Sequence, residues 1–150
     1  MSSGYSKGEV VEAVRLTLLQ LSVQGGGYVR LIKLHKGEPL PKGLMDEALQ
    51  MPALFVSYAF STYGPGQYLH TEETLHFNIS AVCRAGSAPD VFKVLEDVRD
   101  TLCGSTLGLE VMPARLVSEA PVFESKEASA FKALYSITQK VLLNTLAQNT

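Results

Sequence analysis

An amphipathic helix that follows directly on a long alternating strand is the feature that most constrains the fold of this chain. The helical pattern covers residues 87–104. Its apolar residues recur at helical spacing and form a single stripe, made by Val91, Val94, Leu95, Val98 and Leu102. Ser87 is expected to cap the first turn, with Asp90 placing an acid among its unpaired N–H groups, and Gly104 is expected to end the helix in a left-handed conformation. The pattern therefore predicts a helix with one buried face.

Two alternating segments before this helix predict a long antiparallel β-hairpin. Residues 53–60 have the composition of a well-covered strand, and residues 73–83 alternate strictly, as a strand with one solvated face does. The intervening residues 62–67 carry the turn sequence Gly-Pro-Gly. We expect the tip of this hairpin, around residues 63–68, to project from the body of the protein.

The N-terminal part of the chain predicts a helix over residues 7–24, ended by three consecutive glycines. A second apolar group on this helix, Leu16, Leu19 and Val23, suggests that it buries more than one face, against its own sheet and against a neighbour. Residues 28–35 predict a short strand, and residues 44–50 predict one or two helical turns.

The C-terminal third predicts short strands at residues 107–111 and 114–118 and at Val122 and Phe123. Residues 130–143 fit both a helix and a strand, and their β-branched and alternating polar residues favour the strand. The order of elements predicts one α+β domain over residues 1–150. In this fold class the helices pack on one face of a mainly antiparallel sheet.

Composition and charge limit the classes of function. The 150 residues are 46% hydrophobic with a formal net charge of −2, and the 13 lysines and arginines are scattered, which argues against nucleic-acid binding through a basic field. The N-terminus has no basic segment followed by an apolar one, and no apolar run is long enough to cross a membrane. We expect a soluble protein made in the cytoplasm, without contact with a membrane.

No motif predicts catalysis, a metal site or a cofactor. The histidines and cysteines lack metal-binding or redox spacings, the serines lack a nucleophile elbow, and the glycine run matches no phosphate-binding loop. The pair Glu72 and Glu73 is predicted to form a solvated charged surface. The sequence therefore predicts a protein that is not an enzyme.

Aromatic residues around the predicted hairpin loop are the candidates for contact with partners, because aromatic side chains on projecting loops often anchor interfaces. These interface candidates are Tyr63, Gly64, Pro65, Gly66, Gln67 and Tyr68. Packing of the two tyrosines on their own hairpin is an equally good interpretation.

Two segments of the chain give a resemblance to a known family. The strand entry Pro-Ala-Leu-Phe-Val at Pro52 to Val56 and the helical Leu-Glu-Asp-Val-Arg at Leu95 to Arg99, followed by a short Leu-x-Gly link, are its most specific parts. Across about residues 6–143, the chain resembles the Mu-like phage protein family associated with tail termination. These are packing patterns without reactive groups, so no functional residue is carried over.

The resemblance implies a tail-terminator-like subunit that forms a ring, of six copies, at the head-proximal end of a phage tail or tail-like particle. Such a ring stops growth of the tail tube and offers a docking surface to neck or sheath proteins, in a particle made in the host bacterial cytoplasm. The implied partners are other copies of the chain, the tube protein, and sheath and neck proteins. Two alternatives stay open, a head-to-tail connector of the same fold and an enzyme or ligand-binding domain without a recognisable motif.

Overall fold

A five-stranded sheet with two α-helices on one face forms the part of the chain that the computed structural model describes, residues 4–36, 50–64, 70–86 and 88–142. The elements in chain order are α1 Lys7–Leu18, β1 Leu31–Leu34, β2 Ala53–Gly64, β3 His70–Arg84, α2 Val91–Leu102, β4 Arg115–Glu124 and β5 Ala128–Leu142. The strand order is β1-β2-β3-β5-β4, with β1 parallel to β2 and every other pair antiparallel. The predicted α+β class with a mainly antiparallel sheet is confirmed.

Helix α1 is shorter than the sequence predicts. It begins with a capping box, in which the Glu9 backbone N–H donates to Ser6 Oγ (3.1 Å) and the Ser6 N–H donates to Glu9 Oε1 (2.9 Å). The α-helix ends at Leu18 and not at residue 24, and two short 3-10 turns follow. Ser22 explains the early end, because its extended backbone breaks the helix and its hydroxyl caps the second 3-10 turn by accepting from the Gly25 N–H.

Helix α2 has the apolar stripe that the sequence predicts, and all five of its predicted core residues are buried. Its start differs from the prediction. Asp90, with extended backbone, is the N-cap, and its carboxylate accepts from the Lys93 N–H at 2.9 Å. The predicted cap Ser87 lies outside the described residues. Gly104 follows the helix with φ of +82°, as predicted.

The strands differ from prediction mainly in length. The hairpin of β2 and β3 is confirmed, but its strands run three or more residues further toward the tip, so Thr62 to Gly64 belong to β2. Residues 115–124 form one edge strand, β4, which accommodates Pro121 because an edge strand needs hydrogen bonds on one side only. Residues 107–111 form turns instead of the predicted strand, and the predicted turns at residues 44–49 lie outside the described part of the chain.

The segment that fits both a helix and a strand, residues 130–143, is part of strand β5 as far as residue 142, and residue 143 lies outside the described residues. This strand pairs with β3 on one side and with β4 on the other. Its alternate residues Ala133, Tyr135 and Ile137 are buried on the side of the sheet that faces the helices. Burial on this side selects the strand, because only a period of two places all three residues in the core.

The main core lies between the sheet and the helices, with α1 over β1 and β2 and α2 over β3 and β5. The rings of Phe77 and Tyr135, both almost fully buried, stack with their centres 5.8 Å apart across the β3–β5 pair. On the opposite side of the sheet, a smaller apolar cluster lies at the N-terminal end of β2. It contains Ala53, Phe55, Val82, Ala128 and Ala130. No helix of the described residues covers this side of the sheet, which we call the open side.

The buried stripe of α1 gives a direct test of the core. Replacing Val14 and Leu18, both fully buried, by Asp should unfold the protein, because each uncompensated carboxylate in the core costs several kcal/mol. Circular dichroism and urea unfolding measure the result. Leu16→Asp is the matched control, since Leu16 lies on the same helix and is 53% exposed. A folded double variant, or equal losses from the control, would contradict this helix placement.

Candidate functional site

The predicted interface loop begins on ordered strand structure. Tyr63 and Gly64 are the last residues of β2 and pair with Glu73 and Glu72 of β3. The Tyr63 side chain is 59% exposed, and its hydroxyl donates to Glu73 Oε2 at 3.2 Å. The structure therefore holds one end of this aromatic side chain and leaves the rest of the ring open to solvent. The other candidates, Pro65, Gly66, Gln67 and Tyr68, lie outside the described residues.

Glu73 is the centre of a hydrogen-bonded group that we call the tip network. The residue is 4% exposed, and its carboxylate accepts from Gln139 Nε2 (3.0 Å), Ser61 Oγ (2.9 Å) and Tyr63 OH, with Lys7 Nζ at 3.5 Å. Burial works to raise the pKa of Glu73. Hydrogen bonds from Gln139, Ser61 and Tyr63, together with the charge of Lys7, hold that pKa below its ordinary value. Glu73 is thus a buried structural anion.

The prediction that Glu73 forms a solvated charged surface is wrong, while Glu72 is exposed as predicted. Adjacent residues of a strand point to opposite sides of the sheet, and Glu73 shares its side with Leu75 and Phe77. The strict alternation of β3 contained this signal, because Glu73 is in phase with the apolar residues. Its partner Gln139 could not be found from sequence, since it is 66 residues away.

The tip network also fastens the N-terminal segment to the sheet. The Tyr5 N–H donates to Gln139 Oε1 (2.8 Å), and Gln139 Nε2 donates to the Tyr5 carbonyl (2.9 Å). Gly4 fits here because its φ is +96° and a Cβ would stand 2.8 Å from Val141 Cγ1. Beside this contact is a cleft of about 460 Å³; its lining includes Tyr5, Glu72, Glu110, Met112, Thr138 and Lys140.

Large apolar side chains are exposed on several sides of the molecule. Leu16 and Val23 of the second apolar group are 53% and 61% exposed, so no described element of this chain covers them, and Leu19 is half-buried. Phe60 on β2, Phe92 on α2 and Met112 are also about half exposed or more. Phe60, Phe92 and Met112 are candidates for contact with partners, because aromatic residues and methionine are enriched in the cores of interfaces.

The described residues offer neither a cluster of metal ligands nor a membrane-spanning helix. Within the described ranges, no three His, Cys, Asp or Glu side chains lie together in a way that could hold a metal ion. Neither α1 nor α2, the α-helices of the described chain, is long and apolar enough to span a bilayer.

Comparison with known proteins gives a structural match and no sequence match. No protein-family model matches this chain, and no curated protein matches it. A chain in the solved structure "Virion of native gene transfer agent (GTA) particle" superposes with a TM-score of 0.60 at 14% identity. The match covers 90% of this chain and 98% of that one. The two chains share a fold. The family named from sequence resemblance stays a prediction.

The tip network predicts a pH-dependent contribution to stability. Glu73→Gln should lower the free energy of unfolding at pH 7 by about 1–3 kcal/mol, because an amide offers one acceptor where the carboxylate offers two. The folded pKa of Glu73 lies below its ordinary value, so its charged form stabilises the fold above that ordinary value. This stabilisation is lost as the pH falls through the lower folded pKa.

Urea unfolding of wild type and variant between pH 3 and pH 7 measures this contribution. Glu72→Gln is the matched control, an exposed carboxylate next to Glu73 on the same strand. The account requires a gap between wild type and Glu73→Gln at pH 7 that narrows in acid. Equal, small effects of the two variants at pH 7 would show that the tip network does not stabilise the fold.

Proposed function

We propose that this chain is a structural subunit of a phage-like particle, a tail terminator that forms a ring, of six copies, at the head-proximal end of the tail tube. The observation that carries the proposal is the fold shared with a chain of a gene transfer agent virion, over nearly the whole length of both chains. The sequence resemblance to the Mu-like tail terminator family points to the same kind of particle and supplies the terminator role, the six copies, and the neck and sheath partners.

The surface of the molecule supports a role in assembly. A ring subunit must contact two neighbours through different surfaces and must also contact the structure that it caps. Exposed apolar side chains occur on α1, on α2, on the open side of the sheet and at the hairpin tip; examples are Leu16, Phe92, Phe60 and Tyr63. Four separate surfaces of this kind suit a subunit with several simultaneous contacts.

The hairpin tip is the surface that we assign to the tail tube. Tyr63 combines an exposed ring with a hydroxyl fixed on Glu73, and Glu73 is itself fixed by Gln139 and Ser61. An aromatic side chain that is already held loses little conformational entropy when it binds, which is a property of interface anchors. The tip network therefore presents Tyr63 in a defined position to the last ring of the tube.

Tubes assembled from the tube protein of the same genome test this function. Gold-labelled protein should appear at one end of each tube in electron micrographs, and adding it during assembly should shorten the tubes because elongation stops. Binding at the neck side alone would favour the connector alternative. Labelling along the tube wall, or tubes that reach the same length with and without the protein, would contradict the terminator role.

A pair of variants tests the assignment of the tip. Tyr63→Ala should weaken binding to tube ends by about tenfold or more, the loss expected for an aromatic anchor. Tyr63→Phe is the matched control, since it keeps the ring and removes only the hydrogen bond to Glu73. If both variants bind tube ends as tightly as wild type, the contact with the tube lies elsewhere on the ring.

A further inference from the structure

The side of the sheet opposite α1 and α2 carries an apolar groove, which we call the sheet groove. It has a volume of about 240 Å³ and is lined by Ala59, Phe60, Asn78, Ser118, Ala120, Lys132 and Leu134. Phe60 is 46% exposed and stacks on His76, with ring centres 4.1 Å apart. The bulge in β2 between Tyr58 and Phe60 turns the ring of Phe60 to this side. The groove thus has the size and apolar lining to take one aromatic side chain.

The side of the sheet that holds the sheet groove carries more basic than acidic strand residues, although the whole chain has a net charge of −2. Lys132 lines the groove, and Arg115 and Lys140 lie on the same side of the sheet, because directly paired residues share a side. The acidic residue of this side, Glu72, lies at the far end of the sheet, where it pairs with Lys140. All three basic residues are exposed, and none forms an ion pair with a residue in the described ranges. A partner for this side should be an apolar side chain surrounded by acidic groups.

The opposite side of the same chain, around α2, presents an apolar side chain surrounded by acidic groups. Helix α2, its cap and the adjoining face of β4 carry six acidic side chains against two basic ones; the acids are Asp90, Glu96, Asp97, Asp100, Glu119 and Glu124, and the bases are Lys93 and Arg99. Phe92 lies among them, 58% exposed, with its ring 5.1 Å from that of Phe131. Glu96 lies one helical turn from Phe92.

We propose that the α2 side of one copy of this chain docks on the sheet groove of a second copy. Phe92 enters the groove against Phe60 and Leu134, and Glu96 and its acidic neighbours face Lys132. A helix layer then covers the open side of the next sheet, which removes Phe60 and Phe92 from water. This inference rests on the proposed function, because a ring requires that copies of the chain contact one another.

The two surfaces lie on opposite sides of one two-layered subunit, so the contact is heterologous and repeats from copy to copy. Contacts of this kind close into a ring when the rotation between copies permits it. The opposite charges of the two sides also disfavour the two symmetric arrangements. Contact between two open sides, or between two α2 sides, brings like charges together. The charge distribution thus favours head-to-tail addition of copies.

Sedimentation velocity of the full chain over a concentration series tests this interface. Lys132→Glu and Glu96→Lys should each weaken self-association by about tenfold, because each replaces an attraction by a repulsion. The double variant restores opposite charges across every contact and should associate within about threefold of wild type. Phe92→Ala should weaken association by at least about tenfold, as expected for a buried aromatic anchor.

Matched controls are Lys126→Glu, at the exposed turn before β5, and Leu34→Ala, at an exposed apolar position on β1, outside the sheet groove. Neither should change self-association by more than about threefold. Self-association that persists in Lys132→Glu and Phe92→Ala, or a double variant as weak as the single ones, would overturn this interface and leave the terminator role standing. Protein that associates as described but ignores tube ends would overturn the terminator role alone, and wild-type protein that never associates would overturn both the interface and the ring.

Discussion

The pairing of β3 with β5 over fifteen residues is the constraint on which the rest of the structure depends. One register brings Phe77 onto Tyr135 in the core and Glu73 onto Gln139 at the hairpin tip. A shift of one residue would turn every side chain of β5 to the other side of the sheet, so both contacts would be lost together. The same register determines which residues face α2 and which face the open side.

Because of this register, the two sides of the sheet differ in burial and in charge. The side under the helices holds the main core and stabilises the fold. On the other side, Phe60 is half exposed, and Arg115, Lys132 and Lys140 form no ion pair with a described residue. Phe60 and Phe92, on opposite sides of the molecule, each leave about half of their surface in contact with water. In a subunit of a ring they are complementary halves of one contact, and this interpretation gives the charge difference between the two sides a function.

Local sequence patterns predicted those features that local physics determines. The stripe of α2 and the exit at Gly104 were predicted correctly because helical spacing and a glycine conformation are local properties. The start of that helix was not predicted correctly. Ser87 and Asp90 are both residue types that cap helices, and the sequence alone does not show at which of them the backbone becomes helical. Burial of Glu73 and the place of β5 beside β3 depend on pairing between distant residues, which one sequence does not reveal. Charge segregation between the two sides could be described only once the strand order was known.

If this chain is a ring-forming structural subunit, the mass of the purified protein in solution will show it. Light scattering over a concentration series, with negative-stain images of the largest species, gives both the number of copies and the shape. The account predicts a discrete closed ring with six times the 16.3 kDa mass of one chain. A protein that remains monomeric at every concentration, or that forms open filaments of indefinite length, would contradict it.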